Sequence, residues 1–293
     1  MTSAKRRGSL SGKPWLRRRP WLRRMLRDSS LMLGLGLFLI LLAAMTLGPL
    51  VWPTSPTDMD FARILSPPSA AAPFGTDELG RDVVARVLHG GRTSLAIGFQ
   101  VMLITTVLGT VIGLASGMSR TADTVLMRFT DVFMAFPALL LALAILAALG
   151  NRPINVVIAL SLVYAPRTAR LLRGQVLYLV ELTYVEASKA AGARRWQTLT
   201  RHVLPGLIPT LIVQETFLFA YAMLGEAGLS FVGVGIQPPL PSWGNILGDA
   251  RVFIREAPWM LLYPGAAISL TVLSLNLLGD GLQRALDPKR SAI

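Results

Sequence analysis

Two acidic side chains sit inside otherwise apolar stretches, and these are the first residues whose setting could support chemistry. Asp131 lies near the end of one run, with Arg128 one helical turn before it. A charge at mid-bilayer costs about 2.5–3.5 kcal/mol on insertion scales, so it has to face protein or water. An i,i+3 pair with Arg128 is the simplest expectation for Asp131. Glu215, beside Gln214, lies in a later run. It either lines a path, where it would meet a cationic group on a solute, or hydrogen-bonds to a neighbouring helix.

The chemistry that is missing narrows the field. No G-x-x-x-x-G-K-[ST] phosphate loop occurs, and the one Gly-Lys pair, Gly12-Lys13, runs into Pro14. No nucleophile elbow, zinc-binding helix or pair of catalytic carboxylates is present. Cysteine is absent, which removes disulfides and thiol chemistry. The two histidines, His89 and His202, are too far apart in the expected topology to share a metal, so no metal site is expected.

These residues need elements to hold them, and composition says which. Of 293 residues, 53% are hydrophobic and only 15% charged, against roughly 25% charged in a soluble domain. Mean hydropathy is +0.54. Six apolar runs stand out, at 31–52, 94–117, 133–150, 153–166, 207–224 and 259–278. The third is expected to begin nearer Thr124, and the fourth to continue as helix toward Val176. A span needs about 20 apolar residues, so the chain reads as an all-α membrane protein with six transmembrane helices.

The net charge of +13 is unevenly spread. Residues 1–30 form an arm with ten Lys and Arg, opposed only by Asp28. The run 31–52 is too long for a signal-peptide core and lacks an evident cleavage site, so it reads as a retained first helix. With the arm inside, 22 basic residues fall on the inner side and 7 on the outer. The positive-inside rule then puts both termini in the cytoplasm. Domains follow as an arm at 1–30, a first helix at 31–52, an outer loop at 53–93, a core at 94–282 and a tail at 283–293. The arm suits anionic membrane lipid. It lacks the aromatics and fold motif that nucleic-acid binding would call for.

The inner segment 182–209 has its own local logic. Thr183-x-x-Glu186 fits a capping box. Ala187, Lys189, Ala190 and Ala191 favour helix. Gly192 can take the left-handed conformation that ends a helix, and a second short helix can run to about Val203. Pro205 and Pro209 mark the start of the fifth span. This helix–Gly–helix corner, with its small Ala and Ser face, suits either close approach of a partner or a solvated loop. In 73–82, Asp77 can cap a turn and pair with Arg81, while Val83, Val84, Val87 and Leu88 with Arg86 suit a helix lying at the membrane face. That stretch is either a contact or gate, or a folded cap on the outer mouth.

At this point the sequence resembles a known family. Glu186-Ala187-Ser188, Gly192, and nine residues later His202-Val203-Leu204-Pro205 look like the E-A-A-x3-G-x9-I-x-L-P loop of permease subunits in binding-protein-dependent ABC importers. Ser188 departs from the third alanine and His202 from the isoleucine. Pro73 to Asp82, with Gly75, Thr76, Asp77, Gly80, Arg81 and Asp82, is similar to the P-[LF]-G-T-D-x-x-G-R-D stretch of the dipeptide/oligopeptide/nickel permeases. Glu226, then Ala227 to Gly235 with Ser230, Pro238-Pro239 and Trp243-Gly244 resemble another of their stretches. Asn276 to Asp280 and Leu286-Asp287-Pro288 resemble a third. The short first outer loop fits the "C" type of permease.

The resemblance implies a type I importer permease in the bacterial inner membrane, without catalytic residues. Glu186, Ala187, Ser188, Gly192 and Pro205 would couple it to ATPases, and Glu226 and Ser230 would lie near the path; Glu215, an acid the family pattern does not call for, stays a path candidate on its setting alone. No cofactor is expected in this chain, since ATP and Mg would sit in two cytoplasmic ATPase subunits. A sister permease and an external substrate-binding protein would complete the machine. Members of the group carry dipeptides, longer peptides, glutathione or nickel. The alternative is a self-contained secondary transporter, which would need more intramembrane ionisable residues than are present.

Overall fold

The computed structural model describes residues 28–286. Most of the basic arm and the last seven residues lie outside the described residues. Ten α-helices and no β-sheet occur among the described residues.

Helix α1 (Ser29–Val51) starts where the Asp28 carboxylate accepts from the Leu31 amide at 3.0 Å. Helix α2 (Val83–Met118) starts the same way, with Asp82 accepting from Ala85 N. At 36 residues it is about 54 Å long, well beyond the ~30 Å hydrocarbon thickness. The second apolar run and the stretch expected to lie at the membrane face are therefore one helix. Nothing between Val83 and Ser94 breaks the backbone, because Gly90 and Gly91 stay helical.

The third run is not one straight span. Helix α3 (Arg120–Ala135) and helix α4 (Ala138–Leu149) meet at Phe136-Pro137 with a bend of 97°. Proline disfavours helical geometry in the residue before it and carries no donor. Helix α5 (Pro153–Val180) extends the fourth run by a further four residues. Helices α6 (Thr183–Ala190) and α7 (Arg195–Thr198) form the corner. A π-type turn, Leu199–Val203, leads without a break into helix α8 (Leu204–Phe231). Pro205 thus lies in the first turn of α8, and Pro209 is inside it. Helix α9 (Trp243–Ala250) precedes helix α10 (Trp259–Leu286).

Four helical stretches are long and apolar enough to cross a bilayer, and the bent α3–α4 pair would make a fifth. α5 falls short because Arg167, Arg170 and Arg173 follow its apolar half. Thirteen of its residues between Val156 and Leu179 are buried, and it packs against α2, α4 and α8. Leu33, Ile40, Val107, Phe129 and Leu262 are among many exposed large apolar side chains, the pattern of a surface that meets lipid or other apolar helices.

Glycines set the closest contact. Gly109, Gly113 and Gly117, one turn apart on α2, face Thr168, Leu172 and Val176 of α5. A Cβ at any of the three would sit 2.4–2.8 Å from those side chains. This is the small-residue stripe by which membrane helices approach closely.

The bundle has two ends. At one, Arg284 of α10 donates to Asp28 before α1, from Nε at 2.8 Å and Nη2 at 2.9 Å; this corner end also holds α6 and α7. At the other, the cap end, residues 53–82 and 232–258 cover the helix termini.

Candidate functional site

The corner is built on an anchored inner face and a free outer one. Val185, Thr198 and Val203 are buried. Val203 packs with Leu172, Val176 and Leu179 of α5 and Leu207 of α8. On the outer side Glu186, Ala187, Gly192, Arg194, Arg195 and Gln197 are exposed, and Trp196 is 70% exposed. Ser188 is half-buried and Pro205 exposed. Gly192 has φ +90, where L residues are strained, and the Ala193 amide donates to Ser188 O at 3.1 Å to close the helix end. Lys189 Nζ donates to Val180 O at 3.2 Å, joining α6 to the end of α5. The Tyr184 and His202 rings meet edge to face at 5.8 Å.

The expected capping box does not form. Leu182 occupies the N-cap position and no side chain caps the helix. Thr183 is already helical, so its hydroxyl does not take the Glu186 amide, which donates instead to Leu182 O. Nor does the second helix end near Val203: from Arg195 it continues through the π-type turn into α8.

At the cap end, residues 73–82 form a closed knot. Asp77 Oδ1 accepts from the Leu79 and Arg81 amides, both at 2.9 Å. Its Oδ2 accepts from Arg81 Nε at 2.6 Å and Arg86 Nη1 at 2.5 Å. Arg81 Nη2 reaches Glu78 at 2.6 Å, and Arg86 Nη2 reaches Asp249 of α9 at 3.0 Å. Thr76 accepts from Ser66 N and donates to Arg63 O, while Trp259 Nε1 donates to Thr76 O at 3.0 Å. Gly75 and Gly80 both have positive φ, and a Cβ on Gly80 would lie 1.9 Å from Asp60 O. The expected Asp77–Arg81 pair is present. Arg86 and Asp249 were not foreseen as members; the sole signal was a charge inside each apolar helix.

The acids of the helices have different settings. Glu226 is fully buried, with Oε2 accepting from Ser94 and Oε1 from Ser230, each at 2.7 Å. Ser94 Oγ in turn accepts from Trp243 N at 3.2 Å, and Ser230 Oγ from Ile236 N at 3.0 Å. One carboxylate thus ties α2 and α8 to the loop after α8 and to α9, with no cation beside it among the described residues. Glu215 is 6% exposed; its Oε1 accepts from Thr168 of α5 at 3.2 Å, and its Oε2 has no partner among the described residues. Asp131 does not use Arg128. It pairs with Arg170 of α5, and Asp123 pairs with Arg173 one turn along. α5 lies against α3, so its arginines meet both acids, while Arg128 faces an apolar cleft with Val125, Phe129 and Val132.

Comparison with known proteins agrees with this architecture. Residues 106–292 match the family described as binding-protein-dependent transport system inner membrane component. Residues 18–68 match the N-terminal transmembrane domain of oligopeptide transport permease C. The glutathione transport system permease protein GsiD of Pectobacterium atrosepticum is 42% identical over 279 residues, covering 94% of this chain and 91% of that protein. The di/tripeptide transport system permease protein DppC of Pseudomonas aeruginosa is 43% identical over 263 residues, 87% of each. The inward-facing MetNI methionine ABC transporter shares the fold with a TM-score of 0.57 at 21% identity, over 69% of this chain and 96% of that one. The self-contained secondary transporter finds no support in these likenesses. An all-helical bacterial inner-membrane protein with this knot, this corner and these matches over most of its length belongs to the binding-protein-dependent transport system inner membrane component family, in the group of oligopeptide transport permease C.

Proposed function

We propose that this chain is one channel-forming subunit of an ATP-driven importer of peptides or related small solutes. It crosses the membrane six times with both termini in the cytoplasm: α1, α2, α3–α4, α5, α8 and α10. The corner end is cytoplasmic and the cap end external. We read the domains as an arm at 1–30, a first helix at 31–52, an outer loop, a permease core and a tail, with the outer loop ending at residue 82 because α2 begins at Val83.

The observation that carries the reading is the corner. Its outer face, Glu186, Ala187, Ser188 and Gly192, is open to a partner. Its inner face is bolted through Val203 to the helices that make the bundle, and Val185 is buried beneath it. A push on the outer face therefore moves α5 and α8, with Pro205 at the joint. Two ATPase subunits would supply the push, a sister permease the other half of the channel, and an external binding protein the solute. This chain has no catalytic part, and ATP and Mg belong to the ATPases. Glu215, with one oxygen unpartnered between α5 and α8, is the acid assigned to the path; Glu226 and Ser230 hold the outer segments that border it.

Purification of the chain from native membranes in mild detergent tests the reading. A second permease and P-loop ATPases should co-purify, and the reconstituted complex should take up solute only with ATP and a loaded binding protein. Recovery of the chain alone, with uptake that ignores ATP, would overturn it.

A further inference from the structure

Two neighbouring cavities share one arginine, and nothing in the transport reading uses them. The first, about 560 Å³, lies between α1, α2 and α8 and is walled by Phe38, Leu42, Met45, Leu95, Phe99 and Phe219. The second, about 420 Å³, lies at the cap end, against His89, Thr93, Thr57 and the Pro239–Pro241 segment. Arg92 lines both. The first cavity is apolar except at Arg92 and Thr46. Each falls within the roughly 300–1,000 Å³ of small-molecule sites.

Arg92 is held in place by a defect in α1. Pro49 has no amide hydrogen, so the Met45 carbonyl loses its helical donor. Arg92 Nε supplies the missing bond at 2.8 Å, and its Nη2 donates to Thr46 O. Nη1 has no partner among the described residues. The guanidinium is thereby fixed at the border between an apolar slot and a more polar mouth. A purely apolar occupant would desolvate that charge and return nothing. A phosphodiester matches it, since guanidinium binds phosphate through paired, charge-assisted hydrogen bonds.

We propose that the two cavities together bind one phospholipid of the leaflet at the cap end. An acyl chain fills the slot between α1, α2 and α8, the phosphodiester sits on Arg92, and the headgroup lies against His89 and Thr93. The lipid would act as a wedge that holds α1 to the rest of the bundle where Pro49 weakens it.

Photolabelling tests this on the assembled complex, reconstituted in phosphatidylethanolamine vesicles doped with a phosphatidylglycerol that carries a diazirine on its acyl chain. Adducts should concentrate on Leu42, Phe99 and their neighbours. Ala96→Phe fills the slot with the charge intact, and Arg92→Gln removes the charge with the slot intact. Each should cut labelling by about tenfold, the equivalent of ~1.4 kcal/mol. If Arg92→Gln fails to reach the membrane, Ala96→Phe decides alone. Labelling of Ala96→Phe at the wild-type level, or adducts spread evenly over Leu33, Phe129 and other exposed apolar residues, would overturn the site. So would cross-linking of Phe99→Cys to another subunit, which would give the slot a protein occupant.

Discussion

Asp77 and Arg86 form an ion pair sealed inside the cap, 2.5 Å apart, with side chains 0% and 3% exposed. The same carboxylate oxygen holds Arg81, and Arg86 reaches on to Asp249. The pair joins residues 73–82 to the first turn of α2 and to α9, so three separate segments share one buried charge centre.

Loss of the acid should be costly. Asp77→Asn leaves two enclosed guanidinium groups short of a counter-charge, and breaking such a buried pair costs about 3–5 kcal/mol. Asp60→Asn removes an exposed pair with Arg63, worth about 0–1 kcal/mol. Thermal unfolding of the purified protein should show a large drop in midpoint for the first and almost none for the second. Equal drops would mean that the buried pair does not organise the cap.

The glycine stripe of α2 should tolerate no bulk. Gly113→Leu would drive a side chain into Leu172 Cβ and Ala169 O, which lie 2.8 and 2.9 Å from the Cβ position. Overpacking of this kind costs about 1–3 kcal/mol. Gly174→Leu is the control, because nothing lies within 4 Å of a Cβ there. A paired-cysteine distance measurement across α2 and α5 should widen only in the first variant.

Gly192 separates coupling from insertion. Proline cannot adopt φ +90, so Gly192→Pro must rebuild the corner, while the spanning helices do not depend on it. Membrane levels should stay near wild type and ATP-driven uptake should vanish. Gly192→Ala adds about 1–2 kcal/mol of local strain without touching another atom, and should retain part of the uptake. Full uptake in Gly192→Pro would refute the coupling role.

Asp28 gives a pH signature. The Arg284 guanidinium, aided by the Leu31 amide, lowers its carboxyl from 3.8 to about 2. For an acid depressed on folding, the stabilisation is present above the unfolded value and is lost as pH falls through the folded one. The link between the start of α1 and the end of α10 should therefore hold from neutral pH to about 4 and loosen between about 4 and 2. Spin labels at Ser30 and Gln283 report the separation. Asp28→Asn should show the loosened distance at every pH, and a wild-type distance that changes near pH 6 would point to a different group.

Local chemistry carried much of the architecture into plain view. Apolar runs announced α1, α8 and α10, and Gly192 signalled the corner, because lipid-facing surfaces and helix ends answer to nearby residues; the early start of α2, capped by Asp82, was not announced by the run at 94–117. Thr183 and Glu186 misled for the same reason: their spacing satisfies a capping box, yet the chain leaving α5 puts the N-cap one residue earlier. The run at 133–150 reads as one span, and the right-angle bend at Phe136-Pro137 came only with the structure.

Hydropathy, turn chemistry and motif spacing are written along the chain, and they sufficed to read a helical membrane protein resembling the permease family, with a corner closed by Gly192 and a turn held by Asp77 and Arg81. Which charges meet depends on how the helices pack. Asp131 takes Arg170 rather than Arg128, Arg86 finds Asp249, and Glu226 is shared by Ser94 and Ser230. Those partners are separated by 39, 163, 132 and 4 residues respectively. Three of the four pairings exist only because whole helices pack side by side, and sequence spacing holds no record of which helix faces lie against each other.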